Sequence, residues 1–85
     1  MNSEYRNILY RAARLAFESV MTAPPGLRFT LWHAPGRLEL LAGDQTADGM
    51  EPVQGSSEVP WHALTAEQFV TRIDSLARSL PILQE

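Results

Sequence analysis

The 85-residue chain contains no cysteine and no lysine, and its apolar residues form no long uninterrupted run. Without cysteine there is no disulfide, no cysteine-ligated metal and no thiol catalysis. The run Leu40-Leu41-Ala42 is far shorter than the roughly 20 apolar residues of a membrane-spanning helix. Arginines and Glu18 interrupt residues 1–21, which argues against a secretory signal. We therefore expect a soluble, cytoplasmic protein without membrane contact.

Positive charge is scarce in the middle of the chain. All seven basic residues are arginines, none lies between Arg37 and Arg72, and the net charge is −3. Six carboxylates occupy the same part of the chain: Glu39, Asp44, Asp48, Glu51, Glu58 and Glu67. A mildly acidic chain has no electrostatic reason to bind polyanions.

The length predicts one small domain covering residues 1–85. A chain of this size has a thin stability margin, which a partner or a second copy commonly widens.

Two segments have the apolar spacing of amphipathic helices. The first helix is predicted from Ser3 to about Met21 and ends before Pro24-Pro25-Gly26, because proline cannot continue a helix. The second begins at Thr65, which forms a capping box with Gln68, and Pro81 closes it. Its apolar residues are Ala66, Phe69, Val70, Ile73, Leu76, Ala77 and Leu80.

A β-hairpin is predicted between the helices. Residues 27–33 and 37–42 both alternate between apolar and polar, and Pro35-Gly36 has the composition of a tight turn. A two-residue connection would place Leu31 opposite Leu40 and Phe29 opposite Ala42, so that the apolar residues share a face. Because a Pro-Gly turn fits hairpin twist poorly, a longer, bulged connection is the alternative.

Residues 43–60 have the composition of a flexible acidic loop. Residues 50–54 can add a short third strand, which Pro52 would restrict to a sheet edge, and residues 54–57 are expected to be mobile. The fold class is therefore α+β, with a helix at each end and both helices packed on one face of a small antiparallel sheet.

A second apolar stripe on the first helix is the feature that points most directly to a function. The main stripe of this helix consists of Tyr5, Ile8, Leu9, Ala12, Ala16 and Val20. Tyr10, Phe17 and Met21, with Ala13 beside them, are rotated by roughly 100° or more from the middle of that stripe. A narrow sheet cannot easily cover so wide an arc, so the stripe is interpreted as a contact surface for a partner or a second subunit. Trp32, on the hairpin face away from Leu31, is a further candidate. The alternative is that this helix is central and simply more buried.

The favoured function is a non-catalytic protein-interaction module, such as an adaptor, inhibitor or chaperone-like regulator, acting as a homodimer. We expect no catalytic residues, cofactor or metal. One alternative is a ligand-binding or enzymatic domain that uses His33, His62 and acidic-loop residues, although no third metal ligand has a recognisable spacing. A weaker alternative is nucleic-acid binding through Arg6, Arg11 and Arg14.

Overall fold

Two helices and a three-stranded antiparallel sheet make up the fold, as the sequence predicts. The computed structural model describes residues 3–78 and 80. In chain order the elements are α1 (Ser3–Thr22), β1 (Phe29–Ala34), β2 (Arg37–Ala42), β3 (Glu51–Pro52), two 3₁₀ turns (Ser56–Glu58 and Trp61–Ala63) and α2 (Ala66–Ala77). The strand order is β2-β1-β3, so β1 lies in the centre.

The hairpin has the tight connection and the register that the alternation predicts. Leu31 lies opposite Leu40 and Phe29 opposite Ala42, and only Pro35 and Gly36 connect the strands. Gly36 has φ +74°, a left-handed conformation that glycine adopts without steric cost. β1 begins two residues later than predicted, since Leu27 forms a turn by donating its N–H to the Pro24 carbonyl.

The third strand is shorter than predicted, and a serine side chain takes over its role. Only residues 51 and 52 pair with β1, at the sheet edge where Pro52 is tolerated. One residue further on, Val53 N–H donates to the Leu31 carbonyl at 2.7 Å. The Leu31 N–H then donates to Ser56 Oγ at 2.9 Å. Ser56 therefore supplies the acceptor that a longer strand would have provided.

Ser56 also connects this edge of the sheet to the core. Its hydroxyl donates to the Val53 carbonyl at 2.7 Å, and its own carbonyl accepts a hydrogen bond from Trp61 Nε1 at 2.8 Å. Neither Ser56 nor Trp61 has significant solvent exposure. Within residues 54–57, which are expected to be mobile, Ser56 is buried, and its side chain and backbone satisfy three buried polar groups.

α1 contacts both β2 and α2. Small side chains at Ala12, Ala13 and Ala16 lie in the core, so the helix backbone can approach its neighbours closely. Leu31, Phe69 and Ile73 are fully buried in the same core. The small residues thus explain how one helix can pack against two elements.

α2 begins with the predicted capping box. Thr65 Oγ1 accepts from the Gln68 N–H at 3.3 Å, and the Gln68 side chain accepts from the Thr65 N–H at 2.9 Å. The helix ends at Ala77, and Leu80 follows outside it while packing against the core. Pro81, the predicted stop, lies outside the described residues.

The hydrogen bonds of Ser56 lead to a stability prediction. Replacing Ser56 with Ala leaves the buried Leu31 N–H without its acceptor, which we expect to cost about 1–3 kcal/mol in free energy of unfolding. Ser57→Ala is the matched control, since Ser57 is adjacent and exposed, and its effect should stay within about 0.5 kcal/mol. Urea denaturation of the three proteins measures both values, and equal stabilities of the two variants would contradict the assigned role.

Candidate functional site

The outer side of α1 carries two large residues that are about half exposed. Tyr10 is 52% exposed and Met21 is 48% exposed. They are eleven residues apart, so they lie nearly in line along the helix and about 16 Å from each other. These are the two members of the predicted second stripe that face solvent.

The other two members face the core of the domain. Ala13 is buried, and Phe17 is partly buried with its ring edge-on to Phe69 of α2, at a centroid separation of 5.4 Å. The stripe is therefore wide because α1 packs against α2 as well as β2. The exposed apolar surface is narrower than the full stripe, and Ala13 lies outside it.

An arginine completes the exposed row, and a leucine lies on a different side of the helix. Arg14 is exposed and falls between Tyr10 and Met21 on the same side of α1. Leu15 is the most exposed large apolar residue described, at 57%. The sequence does not single out Leu15, because a helical projection places it roughly 20° from Ile8, at the edge of the main stripe. Tyr10, Arg11, Arg14, Leu15 and Glu18 line a shallow depression between these two sides.

Trp32 lies on the sheet face away from the main core. It is paired with Glu39 of β2 on one side and Pro52 of β3 on the other. The indole is half-buried, and its Nε1 is shielded from solvent with no hydrogen-bond partner among the described residues. A partner could therefore contact the exposed part of the ring but could not reach this N–H without a local movement.

The two histidines occupy different environments. His33 lies in central strand β1, between Leu38 and Glu51, and its buried Nδ1 has no hydrogen-bond partner among the described residues. His62 is exposed in the second 3₁₀ turn. Within residues 3–78 and 80, no three His, Asp or Glu side chains are grouped so that they could hold a metal ion.

The orientation of α1 is fixed at its N-terminal end by α2. Tyr5 donates its hydroxyl proton to Asp74 Oδ1 at 2.9 Å, and Asp74 Oδ2 accepts from Arg78 Nε at 2.9 Å. Burial, the hydrogen bond and the negative charge of Asp74 together raise the pKa of Tyr5 to about 12, while Arg78 acts in the opposite direction. This contact joins residues 69 positions apart in the chain. It holds the exposed row of α1 in a defined position relative to α2.

Comparison with known proteins finds no family that matches this chain, and no curated protein or solved structure matches it. Among the residues that the structure describes, neither helix combines the length and the apolar character needed to cross a membrane. Functional inference therefore depends on the geometry of the chain itself.

The contact between Tyr5 and Asp74 predicts a change in stability at alkaline pH. The tyrosine pKa is raised on folding, so its stabilising contribution is complete below pH 10 and is lost as pH rises toward 12. Because Tyr5 is partly exposed, we expect a loss on the order of 1 kcal/mol across this interval. Tyr5→Phe lacks the titrating group, so urea denaturation should show the wild-type advantage shrinking between pH 9.5 and 11.5. Parallel pH profiles for the two proteins would refute this assignment.

Proposed function

We propose that this protein is a non-catalytic interaction module, an adaptor, inhibitor or chaperone-like regulator, that contacts a protein partner through the outer side of α1. The contact surface consists of Tyr10, Arg14 and Met21, with the exposed edge of Phe17 between them. The observation that carries the proposal is the half exposure of Tyr10 and Met21 in one row on a helix that packs against β2 and α2 on its other flank.

The composition of this row supports a protein contact. Tyrosine, methionine, phenylalanine and arginine are the residue types enriched in the buried centres of protein interfaces. Tyr10 combines a large apolar ring with a polar hydroxyl, and Arg14 adds a guanidinium that stacks and forms hydrogen bonds. Both are mounted on a helix that the core holds in place, so little order would be lost on binding.

The hydrophobic content of the row is modest, and this restricts the kind of partner. Two half-exposed side chains and an arginine would form the centre of an interface, while Arg6 and Glu18 would lie at its rim. Such a surface suits a partner with an apolar pocket and acidic residues near it. The ion pairs among the described residues are Arg37–Glu39 and Arg78–Asp74, so Arg14 is available to acidic residues of a partner.

The combined substitution Tyr10→Asp with Met21→Asp tests this surface. Each places a charge where an apolar contact is proposed, and both sites are exposed, so the fold should remain intact by circular dichroism. A partner captured with the wild-type protein and then purified should bind the double variant at least about ten-fold more weakly by calorimetry.

Ser19→Asp with Thr22→Asp is the matched control, because it adds the same charge at two exposed positions of the same helix that point away from the Tyr10 and Met21 row. Its affinity for the partner should stay within about two-fold of wild type. Equal affinities of both double variants and the wild type would exclude the Tyr10 and Met21 row as the contact surface.

A further inference from the structure

The hairpin register determines which backbone groups of β2 point out of the sheet. Leu31 directs both its N–H and its carbonyl toward the β3 side, where Ser56 and Val53 bind them. In an antiparallel pair the residues that exchange hydrogen bonds alternate with those that do not. Leu40, opposite Leu31, therefore points its N–H and carbonyl away from β1, and Leu38 does the same two residues earlier.

The two edges of this sheet differ in their protection. On the β3 side the strand has only two residues, one of them proline, and Ser56 continues the hydrogen bonding. β2 is a regular six-residue strand without proline, lysine or bulge. Its two charges, Arg37 and Glu39, form an ion pair with each other at 2.8 Å. A very short strand and a proline, which usually prevent edge-to-edge pairing, are thus present at the β3 edge, whereas the β2 edge has neither.

Leu15 is an exposed leucine on the side of α1 that points away from α2. The side of α1 that carries Phe17 faces α2, because Phe17 packs against Phe69 of α2. Phe69 also packs against Trp61, and Trp61 donates a hydrogen bond to Ser56 on the β3 side. α2 therefore lies toward the β3 side of the sheet. At ~100° per residue, Leu15 projects from nearly the opposite side of α1 to Phe17. Leu15 therefore extends from α1 in the direction of the outer edge of β2.

From this geometry we propose that two copies of the chain associate through antiparallel pairing of their β2 edges, forming a continuous six-stranded sheet. The pairing is centred on Leu40, which exchanges two backbone hydrogen bonds with Leu40 of the second copy. Glu39 then lies opposite Leu41 of the second copy, whereas centring on Glu39 would set two like charges against each other. Both α1 helices lie on the same side of the joined sheet, where the two Leu15 side chains lose solvent exposure.

This β2 surface differs from the row of Tyr10 and Met21, so either proposal can fail while the other holds.

The register supplies a specific test, because residue 41 of one copy would face Glu39 of the other copy across the paired β2 strands. Leu41 is half-buried on the sheet face away from the core, so Glu and Lys can be compared at one position. Leu41→Glu should weaken dimerisation about ten-fold relative to Leu41→Lys in sedimentation equilibrium. Adding Glu39→Lys to Leu41→Glu should restore association, since opposite charges then face each other.

Amide hydrogen exchange gives an independent measurement on the unaltered protein. Protection of the Leu38 and Leu40 amides should rise with protein concentration, because within residues 3–78 and 80 no strand pairs with the outer side of β2. The proposal is overturned if the protein stays monomeric at millimolar concentration with both amides exchanging at a concentration-independent rate. The proposal is also overturned if a dimer forms whose dissociation constant is the same for Leu41→Glu and Leu41→Lys and which dissociates when Tyr10→Asp is combined with Met21→Asp.

Discussion

The pairing of Leu31 with Leu40 is the constraint on which the rest of the structure depends. The Pro35-Gly36 turn sets this register, and the register collects the apolar side chains of β1 and β2 on the face that α1 covers. It also decides which backbone groups of each strand point toward a neighbour and which point outward. A shift of one residue would exchange the faces and place leucines in solvent. The core and the open edge of β2 therefore have the same origin.

The wide apolar arc of α1 has two explanations that operate together. Its inner part, through Ala13 and Phe17, is covered by α2, as expected for a central helix. Its outer part, at Tyr10 and Met21, remains half exposed. Since α1 packs against the sheet on one side and α2 on another, the positions that it can present to a partner lie on its outer side. Those positions are also well fixed, because Tyr5 is bonded to Asp74 at the N-terminal end.

Local patterns predicted most of the fold. The hairpin register, the capping box of Thr65 and the edge position of Pro52 each follow from a few neighbouring residues, and the structure confirms all three. The role of Ser56 could not be predicted in this way, because a serine between glycine and serine has the composition of any solvated loop. Its hydroxyl accepts a hydrogen bond from Leu31, 25 residues earlier in the chain, and no local pattern reveals that contact.

The candidate site was only partly accessible to the same reasoning. Helical spacing identifies Tyr10, Phe17 and Met21 as one stripe, but it does not reveal that Phe69 covers Phe17. Which side of a helix faces a second helix depends on where the intervening chain returns, and residues 43–60 carry no periodic signal of that path. Leu15 lies beside Ile8 at the edge of the main stripe on a helical projection, so the sequence alone does not reveal that its side chain is 57% exposed.

The bonds of Ser56 also bear on how the length of this chain could change over evolutionary time. Val53, Ser56 and Trp61 are held at fixed spacing, since each takes part in a hydrogen bond that includes another of the three. An insertion or deletion between these residues would break buried hydrogen bonds that solvent cannot replace. The stretch from Gly43 to Gly49 is mostly exposed and contains no strand or helix, so it could be lengthened with little energetic penalty. Related chains, where they occur, should therefore vary in size before Met50 and keep a constant interval after it.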